Sequence, residues 1–176
     1  MKRLFALALL CMTSACGASF VFETLPAGGF LSGTPGASLL YGYVLENPDP
    51  TRYLLTTNFT AGSFANASVS SLFDFPVLAP GQTISLFDPN TLAGLFAILL
   101  DAGAPVGFVN SGSFVVSGEF YDGDPLNGGA FSEAAADQIA GYEVTVTAAV
   151  PEPSFAALTG LILATGLLVR SRLLRR

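Results

Sequence analysis

Apolar and polar residues alternate with a period of two through most of the middle of the chain. In Ser38–Glu46 the residues Leu39, Tyr41, Tyr43 and Leu45 fall on one face. Successive side chains of a strand point to opposite sides, so this spacing predicts a strand with one face in a core. Ser113–Tyr121 repeats the pattern, with Phe114, Val116 and Phe120 on one side and Ser117 and Glu119 on the other. Tyr142–Ala148 sets Val144 and Val146 against Glu143, Thr145 and Thr147. Tyr53–Thr60 is rich in the β-branched and aromatic residues that suit a pleated, half-buried surface. Phe20–Thr24, Ala67–Phe75 and Thr83–Phe87 are weaker strands. Leu92–Leu100 fits a buried strand or a short helix, because Leu92, Leu95, Phe96 and Leu99 also lie at helical spacing; strand is preferred. Ala104–Gly112 reads as a turn-bounded strand or an extended loop.

Turn residues punctuate these runs. Pro26–Gly36 is a loop by composition, and Asn47-Pro48-Asp49-Pro50 closes the Ser38–Glu46 strand. Pro80-Gly81 suits the centre of a type II turn, where Pro presets φ and Gly accepts a positive one. Roughly seven to nine strands, polar on one face and without intervening helices, predict a single all-β domain: an immunoglobulin-like antiparallel β-sandwich.

The pattern changes at both ends. Met1-Lys2-Arg3 is basic, Leu4–Met12 is apolar, and Thr13–Ala18 is small. That order is a secretory signal peptide over residues 1–18, with cleavage after Ala18 or Gly17. Lipidation at Cys16 is a rival, weakened by Thr13 where a lipobox carries Leu or a similar apolar residue. Residues 150–176 run from the rigid Pro151-Glu152-Pro153 through the uncharged Ser154–Val169 to Arg170, Arg172, Arg175 and Arg176. As a helix, residues 154–169 rise roughly 24 Å against a hydrocarbon core of about 30 Å, so they make a short membrane span. Arginines beside an apolar run stay cytoplasmic, which places residues 19–149 outside.

This C-terminal stretch resembles the PEP-CTERM sorting signal of Gram-negative bacteria, a segment also labelled "ice-binding protein C-terminal domain" without implying ice binding. The resemblance covers about the last 27 residues: tripeptide, span with Gly160 and Gly166, basic end. It implies recognition by an integral-membrane exosortase and removal of the tail, in cells that make extracellular polysaccharide. The body, too, resembles exported domains found in front of such tails, in the Tyr43 strand followed by Asn47, in Leu78–Gln82, in Pro105–Gly112 and in Asp124–Gly129.

Composition narrows the chemistry. The chain has no histidine and no tryptophan, and its two cysteines, Cys11 and Cys16, lie in the signal region. The exported body therefore has no disulfide and rests on burial alone. It holds one basic residue, Arg52, and twelve acidic ones, a net charge of −11. Such a field repels nucleic acid and other polyanions. Without His, and with Lys2 the only lysine, the usual Ser-His and Ser-Lys hydrolase arrangements cannot be built. Transition-metal sites lose their usual His and Cys ligands as well.

Two oxygen-based options remain. Glu119, Asp122, Asp124 and Asn127 crowd a glycine-bearing loop and offer ligands of the kind calcium takes, although the full EF-hand spacing is missing. The same residues are those that turns use, and the turn reading is favoured. Paired carboxylates could serve a small glycoside hydrolase, but so small a sandwich leaves little room for a sugar cleft. The aromatics Tyr41, Tyr43, Phe114 and Phe120 could stack on sugars if exposed, yet their periodicity assigns them to the core. Asn58-Phe-Thr60 and Asn66-Ala-Ser68 match glycosylation sequons by chance. The expectation is a non-catalytic, exported cell-surface or matrix protein without cofactor. It would be held in the inner membrane until an exosortase processes it, then associated with extracellular polysaccharide. A carbohydrate- or calcium-binding adhesion module comes second and the hydrolase third.

Overall fold

A computed structural model describes residues 18–149. They fold into two facing sheets. Strands β1 (Val21–Leu25), β3 (Ser38–Glu46), β5 (Ala67–Ser71), β7 (Thr83–Leu86) and β8 (Phe96–Leu100) form the first, in the order β1-β3-β8-β5 with β7 also on β3. Strands β2 (Phe30–Gly33), β4 (Tyr53–Ala61), β6 (Val77–Leu78), β9 (Val109–Asp122), β10 (Ala130–Ala134) and β11 (Gln138–Val146) form the second, in the order β2-β11-β9-β4-β6 with β10 also on β9. The one helical element among the described residues is a single 3₁₀ turn, Pro125–Asn127. Among the described residues no helix is long and apolar enough to cross a membrane. The expected signal peptide through Gly17, the 151–153 motif, the 154–169 helix and the basic end lie outside the described residues.

The sandwich is not wholly antiparallel. β2 pairs in parallel with β11, Phe30 opposite Glu143 and Val146 opposite Gly33. The cause lies in the segment read as a loop. After β1 the chain turns at Pro26, the Gly29 N–H donating to the Pro26 carbonyl at 3.0 Å, and then crosses to the other sheet. Gly29 has φ +71°, and a Cβ there would collide with the Gly141 carbonyl oxygen, so the crossing requires glycine. Composition marked Pro26–Gly36 as a loop and hid the four-residue strand inside it.

Other boundaries moved for similar reasons. The predicted 104–112 and 113–121 elements are largely one strand: β9 runs unbroken through Ser111-Gly112, because β11 and β4 hydrogen-bond along both sides of it. β10 carries no inward apolar residue, since all five of its positions are exposed, and so left no alternation to read. The ambiguous 92–100 run is strand only from Phe96, as its helical spacing has no helix behind it. β7 and β8 lie end to end along β3, with Leu86 opposite Tyr43 and Phe96 opposite Tyr41. Residues 87–95 leave the line between them and fold back through an Asp88–Ala93 bridge. Opposite that gap stands Gly42, where a Cβ would lie 2.6 Å from the Cβ of Phe87.

The core lies where the alternation placed it. Tyr41, Tyr43 and Leu45 from β3 meet Phe114, Val116 and Phe120 from β9 and Val144 from β11, all essentially inaccessible to solvent. Tyr41 packs edge-on against Phe114 at 5.2 Å, and Phe114 lies 4.7 Å from Tyr142. Each fully buried side chain of this size stabilises the fold by roughly 1.5–3 kcal/mol. The Tyr41 hydroxyl also joins the two sheets. It donates to the Gly29 carbonyl at 2.7 Å, with the Glu143 carbonyl as a second acceptor at 3.2 Å. Beyond β3, the buried Asn47 side chain donates to the carbonyls of Arg52 (2.8 Å) and Ala79 (3.1 Å) and accepts from the Asp49 N–H (3.1 Å). That arrangement fixes the turn that the sequence showed only as Pro and Asp.

Candidate functional site

The residues singled out from sequence scatter. Glu119 on β9 accepts a hydrogen bond from the Tyr121 hydroxyl at 2.8 Å. Asp122 ends β9, and Asp124 caps the 3₁₀ turn. Both Asp124 oxygens are occupied from within the loop: Oδ1 accepts from the Leu126 N–H at 2.9 Å and Oδ2 from Asn127 Nδ2 at 2.6 Å. Among the described residues no three His, Cys, Asp or Glu side chains gather as metal ligands would. The geometry is that of an Asx-type turn. Tyr41, Tyr43, Phe114 and Phe120 are core residues, closed to any sugar. Pro151, Glu152, Pro153, Arg170, Arg172, Arg175 and Arg176 fall outside the described residues.

Arg52, the body's lone cation, is fully engaged. It pairs with Asp49 at 2.7 Å and with Glu133 of β10, and its guanidinium carbon lies 4.7 Å from the centre of the Phe120 ring. Asp49 accepts from the backbone N–H groups of Thr51 and Arg52 at 2.8 and 2.9 Å. These bonds and the Arg52 guanidinium hold its carboxyl well below the usual carboxylate range. No basic side chain in the body is left for an anionic ligand.

One concavity was not anticipated. On the solvent face of the second sheet, β2, β11 and β9 lie side by side. Glu143 sits between Phe30 and Ser111 in register, and the next row on that face pairs Gly141 with Ser113. Alternation turns Tyr142 and Val144 into the core, so Phe30, Ser111, Ser113, Gly141 and Glu143 face outward. They surround a trough of about 410 Å³, with Gly28 at its rim. A second hollow of about 310 Å³, beside the β1–β2 turn and carrying Glu23, shares Gly28 and Gly141 with the first. One wall is the Phe30 ring, 66 % exposed. The Gly141 floor is open: a Cβ built on it meets nothing nearer than the Gly112 carbonyl oxygen at 3.9 Å.

Sequence reasoning missed this site because its aromatic wall, Phe30, lies in the unread strand β2 and because parallel pairing with β11 is non-local. One signal was present. A glycine inside a strand pattern points to a bulge or a close approach, and Gly141 sits next to the cleanest alternation in the chain.

No family model and no curated protein matches the chain. Among solved structures, the chain is similar to the ASH/PapD-like domain of human CEP192 (PapD-like domain 7), with a TM-score of 0.39 and 9 % identity, over 86 % of this chain and 100 % of that one. It is similar to CaCohA2 from Clostridium acetobutylicum, with a TM-score of 0.27 and 14 % identity, over 77 % of this chain and 95 % of that one. It is also similar to a chain of a CaDoc0917–CaCohA2 complex, with a TM-score of 0.25 and 12 % identity, over 73 % of this chain and 100 % of that one.

Proposed function

We infer that the chain is a non-catalytic, exported surface protein whose last 27 residues are a sorting signal and whose body associates with extracellular polysaccharide. The observation that carries this is the order of parts at the C-terminus: Pro151-Glu152-Pro153, an uncharged apolar run, then four arginines. Prolines fix φ and disfavour helix just before themselves, and on this reading the tripeptide is the tag recognised outside the membrane. The arginines hold the other end inside. An exosortase-type membrane enzyme is the partner that this arrangement fits, and Gram-negative inner membrane followed by cell surface or secretion is the route.

Three features of the body support the non-catalytic part. It has neither histidine nor lysine to act as a base near neutral pH. Its one arginine is held between two carboxylates. Asp124, in the loop that offered calcium-type ligands, is tied into its own turn rather than aimed into a cleft. The test is fractionation of cells expressing Pro151→Ala together with Glu152→Ala. The doubly substituted protein stays in the inner membrane, while the parent reaches the surface or medium. Equal delivery of both would reduce the tail to a simple anchor.

A further inference from the structure

We propose that the trough between Phe30 and Glu143 is a binding site for an uncharged or amine-bearing sugar unit of a polysaccharide. The proposal rests on the reading of the body as polysaccharide-associated and gives that association a place and a chemistry. Its strongest support is Gly141. Glycine inside a strand weakens it relative to alanine, so its presence calls for a cause. Most strand glycines here have one. A Cβ on Gly42 would lie 2.5 Å from the Leu86 carbonyl oxygen, on Gly112 2.5 Å from the Tyr142 hydroxyl, and on Gly118 2.9 Å from a Leu54 methyl. Gly141 has no such neighbour and no positive φ. Nothing inside the fold forbids a side chain there; what a side chain would remove is the floor of the trough.

The walls suit a sugar. From Glu143 onward the backbone beneath the trough is consumed in the β2–β11–β9 ladders, so along that stretch side chains meet a ligand. Those side chains are an exposed phenyl ring, two serine hydroxyls and a carboxylate. A ring face covers the C–H face of a pyranose, while hydroxyls and a carboxylate accept and donate to its hydroxyl groups. A peptide, by contrast, gains most along a strand edge, here the outer edge of β2, rather than on the solvent face where the trough lies. The volume, about 410 Å³, lies within the range of small-molecule sites, and the adjoining 310 Å³ hollow extends the groove past one unit. Charge sets the class. Glu143 borders the trough, Glu23 borders the hollow, and the body carries −11, so uronate or sulfated sugars are repelled while neutral and amino sugars are not.

The experiment is an array of neutral, amine-bearing, uronate and sulfated glycans, probed with the full chain in detergent and with Phe30→Ala and Gly141→Val. Binding to neutral or amino glycans is expected, at least ten-fold weaker in both variants. Gly141→Val should melt no lower than the parent, since it adds a β-branched residue to a strand, and this separates a filled trough from an unfolded domain. Three results would overturn the site: no glycan bound, uronates preferred, or binding unaffected by either substitution. Capture of a displayed peptide that Gly141→Val abolishes would overturn the sugar assignment in favour of protein recognition. Cleavage of a bound glycan, lost in Glu143→Gln, would leave the site standing and overturn the non-catalytic reading instead. Failure of the sorting test would leave the array result untouched.

Discussion

Three buried tyrosines show how one hydroxyl changes meaning with its surroundings. Tyr41 donates its hydroxyl to the Gly29 carbonyl, and Tyr43 donates to Asp74 Oδ1 at 2.6 Å. Tyr142, only 3 % exposed, has a hydroxyl with no hydrogen-bond partner, wedged where a Cβ on Gly62 or Gly112 would stand 2.5 Å away. A buried polar group without a partner costs about 1–3 kcal/mol. Tyr142→Phe should therefore raise stability by about 1 kcal/mol in urea unfolding. Tyr41→Phe should lower it by about 1–2 kcal/mol, because the Gly29 carbonyl loses its side-chain donor. A loss of stability in Tyr142→Phe equal to that in Tyr41→Phe would mean that the orphaned hydroxyl has a partner after all.

At the scale of elements, β3 is the organising strand, taking β1 along one edge and β7 followed by β8 along the other. The detour between β7 and β8 depends on a bare backbone at Gly42, so Gly42→Ala should cost about 1–3 kcal/mol, the range for overpacking a tight site. Thermal unfolding would read this as a drop of several degrees, and an unchanged midpoint would show that the detour is pliable. β3 was legible from its alternation over Ser38–Glu46, with the observed limits, and so was the Pro80-Gly81 turn, where Gly81 has φ +68° and the Gln82 N–H donates to the Ala79 carbonyl at 3.1 Å. β2 and β10 were not legible. Four residues inside a Gly- and Pro-rich segment, or five exposed ones, carry too little periodic signal, and their place is set by partners more than a hundred residues away or across a bulge. The trough inherits that opacity. Phe30 gains significance only once Glu143 lies opposite, and Gly141 only once the space above it is known to be empty.

For the molecule as a whole, the balance of charge and burial fixes a pH window. Burial raises the hydroxyl pKa values of Tyr41, Tyr43 and Tyr142 above the usual tyrosine value, and the Asp74 carboxylate adds to the rise at Tyr43. A raised folded-state pKa means stability is fully present below about pH 10, the unfolded value, and is lost as pH climbs beyond it. Asp49 acts in the opposite direction: its depressed folded-state pKa adds stability above about pH 3.9 that disappears as acid protonates it. Melting temperature should therefore hold a plateau between these limits and fall beyond both, with phenolate absorbance from the three buried rings rising only as the fold is lost. Ionisation of all five tyrosines at ordinary pH with the fold intact would contradict the packing described above.

The parallel pairing of β2 with β11 bears on mechanical load. The chain enters through β1 and β2 and leaves through β11 towards residue 150, and β2 and β11 point the same way. Its points of entry and exit are therefore at opposite ends of that pair. A pull applied at the two ends of that pair would not peel these strands apart one bond at a time. It would slide them past each other, so that the Glu143 N–H to Gly29 carbonyl bond, the Thr147 N–H to Gly33 carbonyl bond (2.8 Å each) and the ladder between them resist together.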